Sequence, residues 1–305
     1  MLKNKRFIFI VGVGRSGSNH LSRALVNTNG IQYGGENRYI WDYQNYNSHD
    51  IRLGKGDEKF KRMIYKNLPN FDNKFLFYLD KTPSNSLRSS FLSNTFPDSI
   101  FIHLIRDPRD ALCSRLIQIA GGHNIANMTS RKFLSIDRKS FVHHIIERFR
   151  QFFLILKTNH LPFVSFPLFL FKNFFRFFRV VILRKNDVDW GERLPGFSKY
   201  FNIFDYHIAA VLHWKYVLDL TRSMIGDNPN YIEIKYEDLI AKPEECLNKI
   251  ALRLPELNLK DSLEYLKSSS SSNSIGKWKE LLSDHEINDI NRFIGDIILR
   301  EGYKL

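Results

Sequence analysis

A three-layer α/β domain, with a central parallel sheet of four to five strands flanked by helices, is the fold that three features of this 305-residue chain predict. Short runs of β-branched and aromatic residues without polar interruption, beginning with Phe7-Ile8-Phe9-Ile10-Val11, suit parallel strands buried on both faces. Stretches with helical spacing alternate with these runs, the pattern of an α/β sheet. A Gly-x4-Gly turn, Gly12 to Gly17, follows the first run and opens a helix, which is the strand, phosphate loop, helix order of a P-loop-like fold. The length fits a single domain over 1–305, with 141–185 as an aromatic, basic and mostly helical insertion.

Taken in order, the loop Gly12-Val13-Gly14-Arg15-Ser16-Gly17-Ser18 pools free backbone N–H groups to face an anion. Ser18 stands where an ATPase or GTPase carries lysine, and Arg15 lies inside the loop instead. Such a loop suits an anionic nucleotide other than a magnesium-bound triphosphate. Leu21, Ala24 and Leu25 keep helical spacing after it, and Gly34-Gly35-Glu36-Asn37-Arg38 reads as a loop holding the first carboxylate after the anion cradle. Asp57 to Leu68 reads as a surface helix. Phe75 to Leu79 reads as a second buried strand ending in Asp80-Lys81-Thr82-Pro83, so Lys81 stands at a strand's carboxyl end, where α/β sheets bind ligands. The third strand, Ser99 to Ile105, runs into Arg106-Asp107-Pro108. Asp107 as N-cap and Pro108 at the first helical position start a helix that carries Ser114 about two turns in. Arg106 and Ser114 can therefore address one anion, the guanidinium with two hydrogen bonds and the hydroxyl with a third.

Further on, Phe204 to Ile225 reads as a long helix and Tyr231 to Tyr236 as a fourth strand. Pro243 opens another helix with Glu244 and Glu245 in its first turn. The serine run Ser268 to Ser272 is flexible by composition and leads to Gly276-Lys277-Trp278. The last helix starts with a capping box, Ser283 to Glu286.

The trio Gly14-Arg15-Ser16-Gly17-Ser18, Asp80-Lys81-Thr82-Pro83 and Arg106-Asp107-Pro108-Arg109-Asp110-Ala111-Leu112-Cys113-Ser114 resembles the sulfotransferase superfamily that uses 3′-phosphoadenosine 5′-phosphosulfate (PAPS). In motif style it is similar to the tyrosylprotein and Golgi carbohydrate sulfotransferases and their bacterial relatives. The resemblance implies that Gly14, Arg15, Ser16, Gly17, Ser18 and Asn19 hold the 5′-phosphosulfate, and that Arg106 and Ser114 hold the 3′-phosphate. It puts Glu36 at the general base and Lys81 at the lysine that faces the sulfuryl group and the bridging oxygen. Tyr236, in a Tyr-Glu-Asp-Leu signature, falls near the adenine, and Lys277 and Trp278 fall in a lid over the nucleotide. A metal is not implied, and the product would be 3′,5′-ADP. Two departures matter. No histidine follows Lys81-Thr82 as in the cytosolic aryl and steroid enzymes, and Ser18-Asn19-His20 departs from the common threonines, which makes His20 a rival base.

The net charge of +13 is uneven: residues 141–185 hold eight Lys and Arg against the single Glu147, among many phenylalanines. Lys172, Arg176 and Arg179 would make one basic stripe on an apolar helix, so 163–185 is expected to meet an anionic membrane surface, to roof the acceptor pocket or to make a homodimer contact. Three cations make it a poor membrane span. Trp190-Gly191-Glu192-Arg193-Leu194-Pro195-Gly196 resembles a stretch of bacterial members on the acceptor side. Without zinc spacings or RNA-binding aromatic signatures, nucleic acid is not an expected partner. Cys113 and Cys246 give neither a disulfide framework nor a metal cluster, so a cytoplasmic setting is expected, with peripheral membrane association through the insertion. The expected activity is sulfuryl transfer to a hydroxyl acceptor, a carbohydrate or an amphiphilic, lipid-linked molecule. The competing readings are a P-loop kinase-like nucleotide enzyme and a non-catalytic membrane-binding protein with a vestigial nucleotide fold.

Overall fold

The computed structural model describes residues 6–36, 38–41, 49–67, 74–119 and 192–305. The insertion expected at 141–185, its 163–185 surface and Trp190-Gly191 lie outside the described residues. One five-stranded, all-parallel sheet runs in the order β2-β3-β1-β4-β5. Its strands are β1 Arg6–Val11, β2 Ile31–Gly35, β3 Phe77–Asp80, β4 Ile100–Ile105 and β5 Tyr231–Lys235. β1 is central, with Ile8 opposite Leu79 on β3 and Ile100 on β4.

Because side chains alternate along a strand, β1 buries two different surfaces. Ile8 and Ile10 point into an aliphatic core with Leu21, Ala24 and Leu25 of α1 (Ser18–Val26) and with Leu247 and Leu266 from the C-terminal helices. Phe7 and Phe9 point into an aromatic core with Trp41 of α2 (Arg38–Trp41), Phe60 of α3 (Glu58–Asn67) and Phe91 of α4 (Ser89–Thr95). The rings interlock at 5.2 Å between Phe9 and Trp41 and 4.6 Å between Phe7 and Phe96. Each fully buried aromatic of this kind contributes about 1.5–3 kcal/mol. A third cluster packs α5 (Pro108–Ile119), the helix Tyr206–Ile225 and the closing helix Asp284–Arg300 on one another. Arg222 locks this layer to the sheet edge, reaching Glu233 at 2.7 Å and Glu301 at 2.7 Å.

The predicted start signals hold where chemistry is local. Asp107 Oδ1 accepts from the Arg109 N–H at 2.9 Å, and the Ser283/Glu286 capping box is formed. Four boundaries differ. Gly34 and Gly35, expected in a loop, end β2, an edge strand whose Tyr33 is 45% exposed and whose apolar pattern is too weak to read as a strand. β3 starts at Phe77, because the N–H groups of Leu76 and Phe77 both turn to the Gly30 carbonyl. Tyr236, expected to end a strand, opens the helix Tyr236–Ala241 instead, since Lys235 already has the extended backbone of an N-cap. Ser268 and Ser269, from the serine run, complete the helix Lys260–Ser269, their hydroxyls bonding back to the Tyr265 carbonyl. Among the described residues, no helix is long and apolar enough to cross a membrane.

Candidate functional site

Each of the five parallel strands delivers a candidate residue at its carboxyl end. Along the sheet edge these are Glu36 after β2, Lys81 after β3, the phosphate loop after β1, Arg106 after β4 and Tyr236 after β5. Adjacent strands lie about 4.8 Å apart, so the row is roughly 20 Å long, with the anion loop in the middle. The half of the row from the loop to Tyr236 spans two strand spacings, about 10 Å, and the Glu36–Lys81 end lies on the opposite side of the loop.

The loop takes three left-handed backbone conformations within seven residues, Gly12 at φ 135°, Arg15 at φ 77° and Gly17 at φ 92°. Arg15 is the one non-glycine with positive φ among the described residues. Such a conformation costs about 1–3 kcal/mol and persists where the surroundings impose it. Within the turn the Gly12 N–H is held by Ser86 Oγ at 2.7 Å and the Ser16 N–H by the Val13 carbonyl at 3.2 Å, and the chain then enters α1, whose N-terminus is the favoured place for an anion. The side chains agree with this. Arg15 Nε donates to Ser114 Oγ at 3.1 Å, and Arg106 Nη1 donates to the Arg15 carbonyl at 3.0 Å. Arg106 also donates to the Ser274 carbonyl and lies 4.6 Å over the Tyr236 ring, whose hydroxyl is 2.9 Å from Ser274 Oγ. Burial, then the neighbouring Arg115 and Arg106, hold the Arg15 guanidinium below its ordinary pKa. Clustered guanidinia destabilise one another until an anion joins them. Two buried polar atoms, Ser16 Oγ and Arg106 Nε, have no hydrogen-bond partner among the described residues, which fits a phosphate-bearing ligand.

Gly17 is required here on two counts, since its φ is left-handed and a Cβ would lie 2.2 Å from Tyr236 Cδ2. Gly17→Ala is therefore expected to cost at least the ~1–3 kcal/mol of backbone strain and to push Tyr236 off the loop. Thermal unfolding of the variant checks this; an unchanged Tm would contradict the seating of Tyr236 against the loop.

At the other end of the row, Lys81 Nζ donates to Glu36 Oε2 at 2.6 Å. The lysine side chain is 7% exposed and the glutamate 53%, so the pair joins a fixed cation to an accessible carboxylate. The Lys81 N–H holds the Gly35 carbonyl at 3.0 Å, which fixes the two strand ends together. Behind them, buried Asp80 accepts from Trp41 Nε1 at 2.7 Å, from the Thr82 N–H at 3.0 Å and from Asn85 Nδ2 at 3.0 Å. These bonds shape the turn that presents Lys81, while burial pushes the Asp80 carboxyl up to about 7. His20, the rival base, is 3.0 Å from Ser270 Oγ and faces the Tyr265 ring, and burial lowers its pKa. Both of these contacts are to the C-terminal part of the chain, away from the Glu36–Lys81 pair.

Asn19 and Lys277 are exposed. Trp278 is buried in the helical cluster beneath Arg109, whose guanidinium carbon is 3.8 Å from the ring centroid. The lid segment is pinned by Asp110, which accepts from Gly276 N–H at 2.7 Å and Trp278 N–H at 3.2 Å. Three site-forming groups were not singled out from the sequence. Asp80 and Asp110 are acidic residues beside strong motifs, where a carboxylate reads as a turn or a helix start. Glu192 is the third: its Oε1 accepts from the Gly14 N–H at 3.0 Å across 178 residues, and no local pattern encodes such a contact.

The profile of the Sulfotransferase family matches residues 7–162, just over half of the chain, including the loop, Glu36, Lys81, Arg106 and Ser114. No curated protein gives a significant sequence match. Among solved structures, the chain is similar to the sulfotransferase domain from the curacin biosynthetic pathway, at 14% identity and TM-score 0.49, covering 99% of each chain. It is similar to a sulfotransferase from Alicyclobacillus acidocaldarius at 13% identity and TM-score 0.47, covering 99% of this chain and 97% of that one. It is also similar to a mouse sulfotransferase complexed with PAP at 13% identity and TM-score 0.47, covering 96% of this chain and 84% of that one.

Proposed function

The chain belongs to the sulfotransferase family, and on that premise we propose that it transfers a sulfuryl group from PAPS to a hydroxyl acceptor with Glu36 as general base. The observation that carries the proposal is the row of strand ends, with Arg106, Ser114 and Tyr236 gathered on one side of the loop and the Glu36–Lys81 pair on the other. PAPS, when bound, supplies a sulfuryl group on a phosphate leaving group. The loop and Arg15 hold the 5′ end, and Arg106 with Ser114 holds the 3′-phosphate, a division that suits the bonds joining Arg15 to Ser114 and Arg106 to the Arg15 carbonyl. Tyr236 offers the adenine a ring already stacked on Arg106. Lys81 stabilises the charge that grows on the bridging oxygen as the S–O bond breaks. Glu36, half exposed, accepts the acceptor's hydroxyl proton as oxygen attacks sulfur, and Lys81 orients its carboxylate for this.

A carbohydrate or lipid-linked acceptor is favoured by the aromatic, basic composition of 141–185, which would bring the chain to an anionic membrane surface. The kinase-like reading keeps the loop but lacks the lysine after Gly17. Thermal unfolding separates the two. With 3′,5′-ADP at about a hundred times its Kd, the protein is expected to gain roughly 2.7 kcal/mol, with or without magnesium, and to gain little from ADP or ATP. Stabilisation by ATP and magnesium, with none by 3′,5′-ADP, would assign the loop to a kinase.

A further inference from the structure

The chemistry above makes no use of Glu192, yet this carboxylate is built into the phosphate loop. The residue is 1% exposed. Its Oε1 accepts from the Gly14 N–H at 3.0 Å, and its backbone carbonyl is held by His213 Nε2 at 2.8 Å, so it is fixed at both ends. Oε2 is buried and has no hydrogen-bond partner among the described residues. A Cβ built at Gly14 would lie 3.5 Å from Glu192 Oε1 and 2.8 Å from Arg115 Nη2, so carboxylate and guanidinium crowd the same point of the loop.

The charges around it come from several elements. Burial pushes the carboxyl up to about 7, against Arg115 of α5, Arg38 of α2 and the Gly14 N–H, which favour the carboxylate. Arg38 is shared with fully buried Asp50 at 2.8 Å, which also pairs with Arg193 beside Glu192 at 2.6 Å. His213, on the helix Tyr206–Ile225, is driven down to about 4 by burial and faces the carbonyl as a neutral ring. Arg15 sits beside Arg115 and Arg106, so the loop carries a surplus of positive charge that Glu192 partly offsets.

We propose that Glu192 is an internal anion seated on the Gly14 amide that takes up one proton when the sulfuryl donor binds. The inference rests on the sulfotransferase reading. Two anions cannot share a buried loop without cost, and the carboxylate is the partner able to neutralise. Protonated Glu192 has an O–H to donate, so the same residue changes from competing with the incoming anion to bonding it.

The test is calorimetric titration of PAPS into the wild type and Glu192→Gln, at pH 6 and pH 8, in buffers of different ionisation enthalpy. A carboxyl titrating near 7 is about nine-tenths ionised at pH 8, so the wild type is expected to take up most of one proton per PAPS there and the variant none. The variant should bind up to about tenfold more tightly than the wild type at pH 8 and equally at pH 6, because it has no charge to neutralise. A purely structural role would instead weaken binding at both pH values. Equal proton uptake in the two proteins, no uptake by the wild type, or weaker binding by the variant at both pH values would overturn the assignment. If Glu192→Gln fails to fold, Glu192→Asp takes its place, and absence of proton uptake by the wild type still overturns the assignment. Titration of 3′,5′-ADP runs alongside: failure of both nucleotides to bind would overturn the sulfotransferase reading and this inference with it.

Discussion

Glu36→Gln is expected to lower turnover by about 10²–10⁴-fold while leaving 3′,5′-ADP affinity unchanged. Gln has the size of Glu and can still accept from Lys81 Nζ, which now donates to Glu36 Oε2 at 2.6 Å, so the variant removes proton affinity and little else. Glu36 stands after β2, two strands from the phosphate loop and four from β5, which separates it from the groups proposed to hold the nucleotide. Single-turnover release of 3′,5′-ADP from PAPS, across a panel of hydroxyl acceptors, measures the first quantity, and calorimetric titration of 3′,5′-ADP measures the second. Unchanged turnover would assign the proton to another group, and His20→Ala is then the next variant to measure. Loss of turnover together with nucleotide affinity would mean that the Glu36–Lys81 pair supports the loop instead of serving the acceptor.

Arg106→Ala is expected to cost about 2–5 kcal/mol of 3′,5′-ADP binding, the usual penalty for truncating one side of a buried, hydrogen-bonded charge pair. The side chain is nearly buried, donates to the carbonyls of Arg15 and Ser274 and lies over the Tyr236 ring. It therefore ties the loop, the lid and the proposed adenine site into one unit, and some loss of thermal stability should accompany the loss of affinity. Discrimination separates these effects. The wild type should prefer 3′,5′-ADP over 5′-AMP strongly, and in the variant that ratio should approach one, since only the 3′-phosphate meets Arg106 in the proposed arrangement. A variant that weakens both nucleotides equally would show that Arg106 acts only by holding Arg15 and Ser274. Arg106→Lys keeps the charge but not the forked geometry, and should recover only part of the preference.

Both predictions join residues that the sequence names singly and the fold brings together. The strands β1, β3 and β4 were legible because a parallel strand buried on both faces must be apolar along its length. The edge strand β5 shows instead an alternation of buried isoleucines with half-buried Tyr231, Glu233 and Lys235; both patterns are local properties. The phosphate loop was legible because a left-handed turn before a helix demands glycine at fixed spacing, and the Asp107-Pro108 helix start because capping is satisfied within one turn. Lys81 and Arg106 could be named at the carboxyl ends of strands and Ser114 about two turns into the helix that follows Arg106, while Glu36 could be named through the family resemblance.

Their mutual geometry belongs to the tertiary structure. Glu36 meets Lys81 across 45 residues only because β2 pairs with β3, and that pairing escaped the sequence because an edge strand with two glycines shows no clear alternation. The bond from Arg15 to Ser114 depends on β1 and β4 being neighbours. The burial of Trp278 and the seating of Glu192 on the Gly14 amide depend on segments that return from the far end of the chain. Local periodicity reports which faces are apolar, and so it determined the elements of this protein. Buried polar groups leave no trace in that periodicity, because they are held by partners that long-range packing alone supplies, and so the fold decided how the site is assembled.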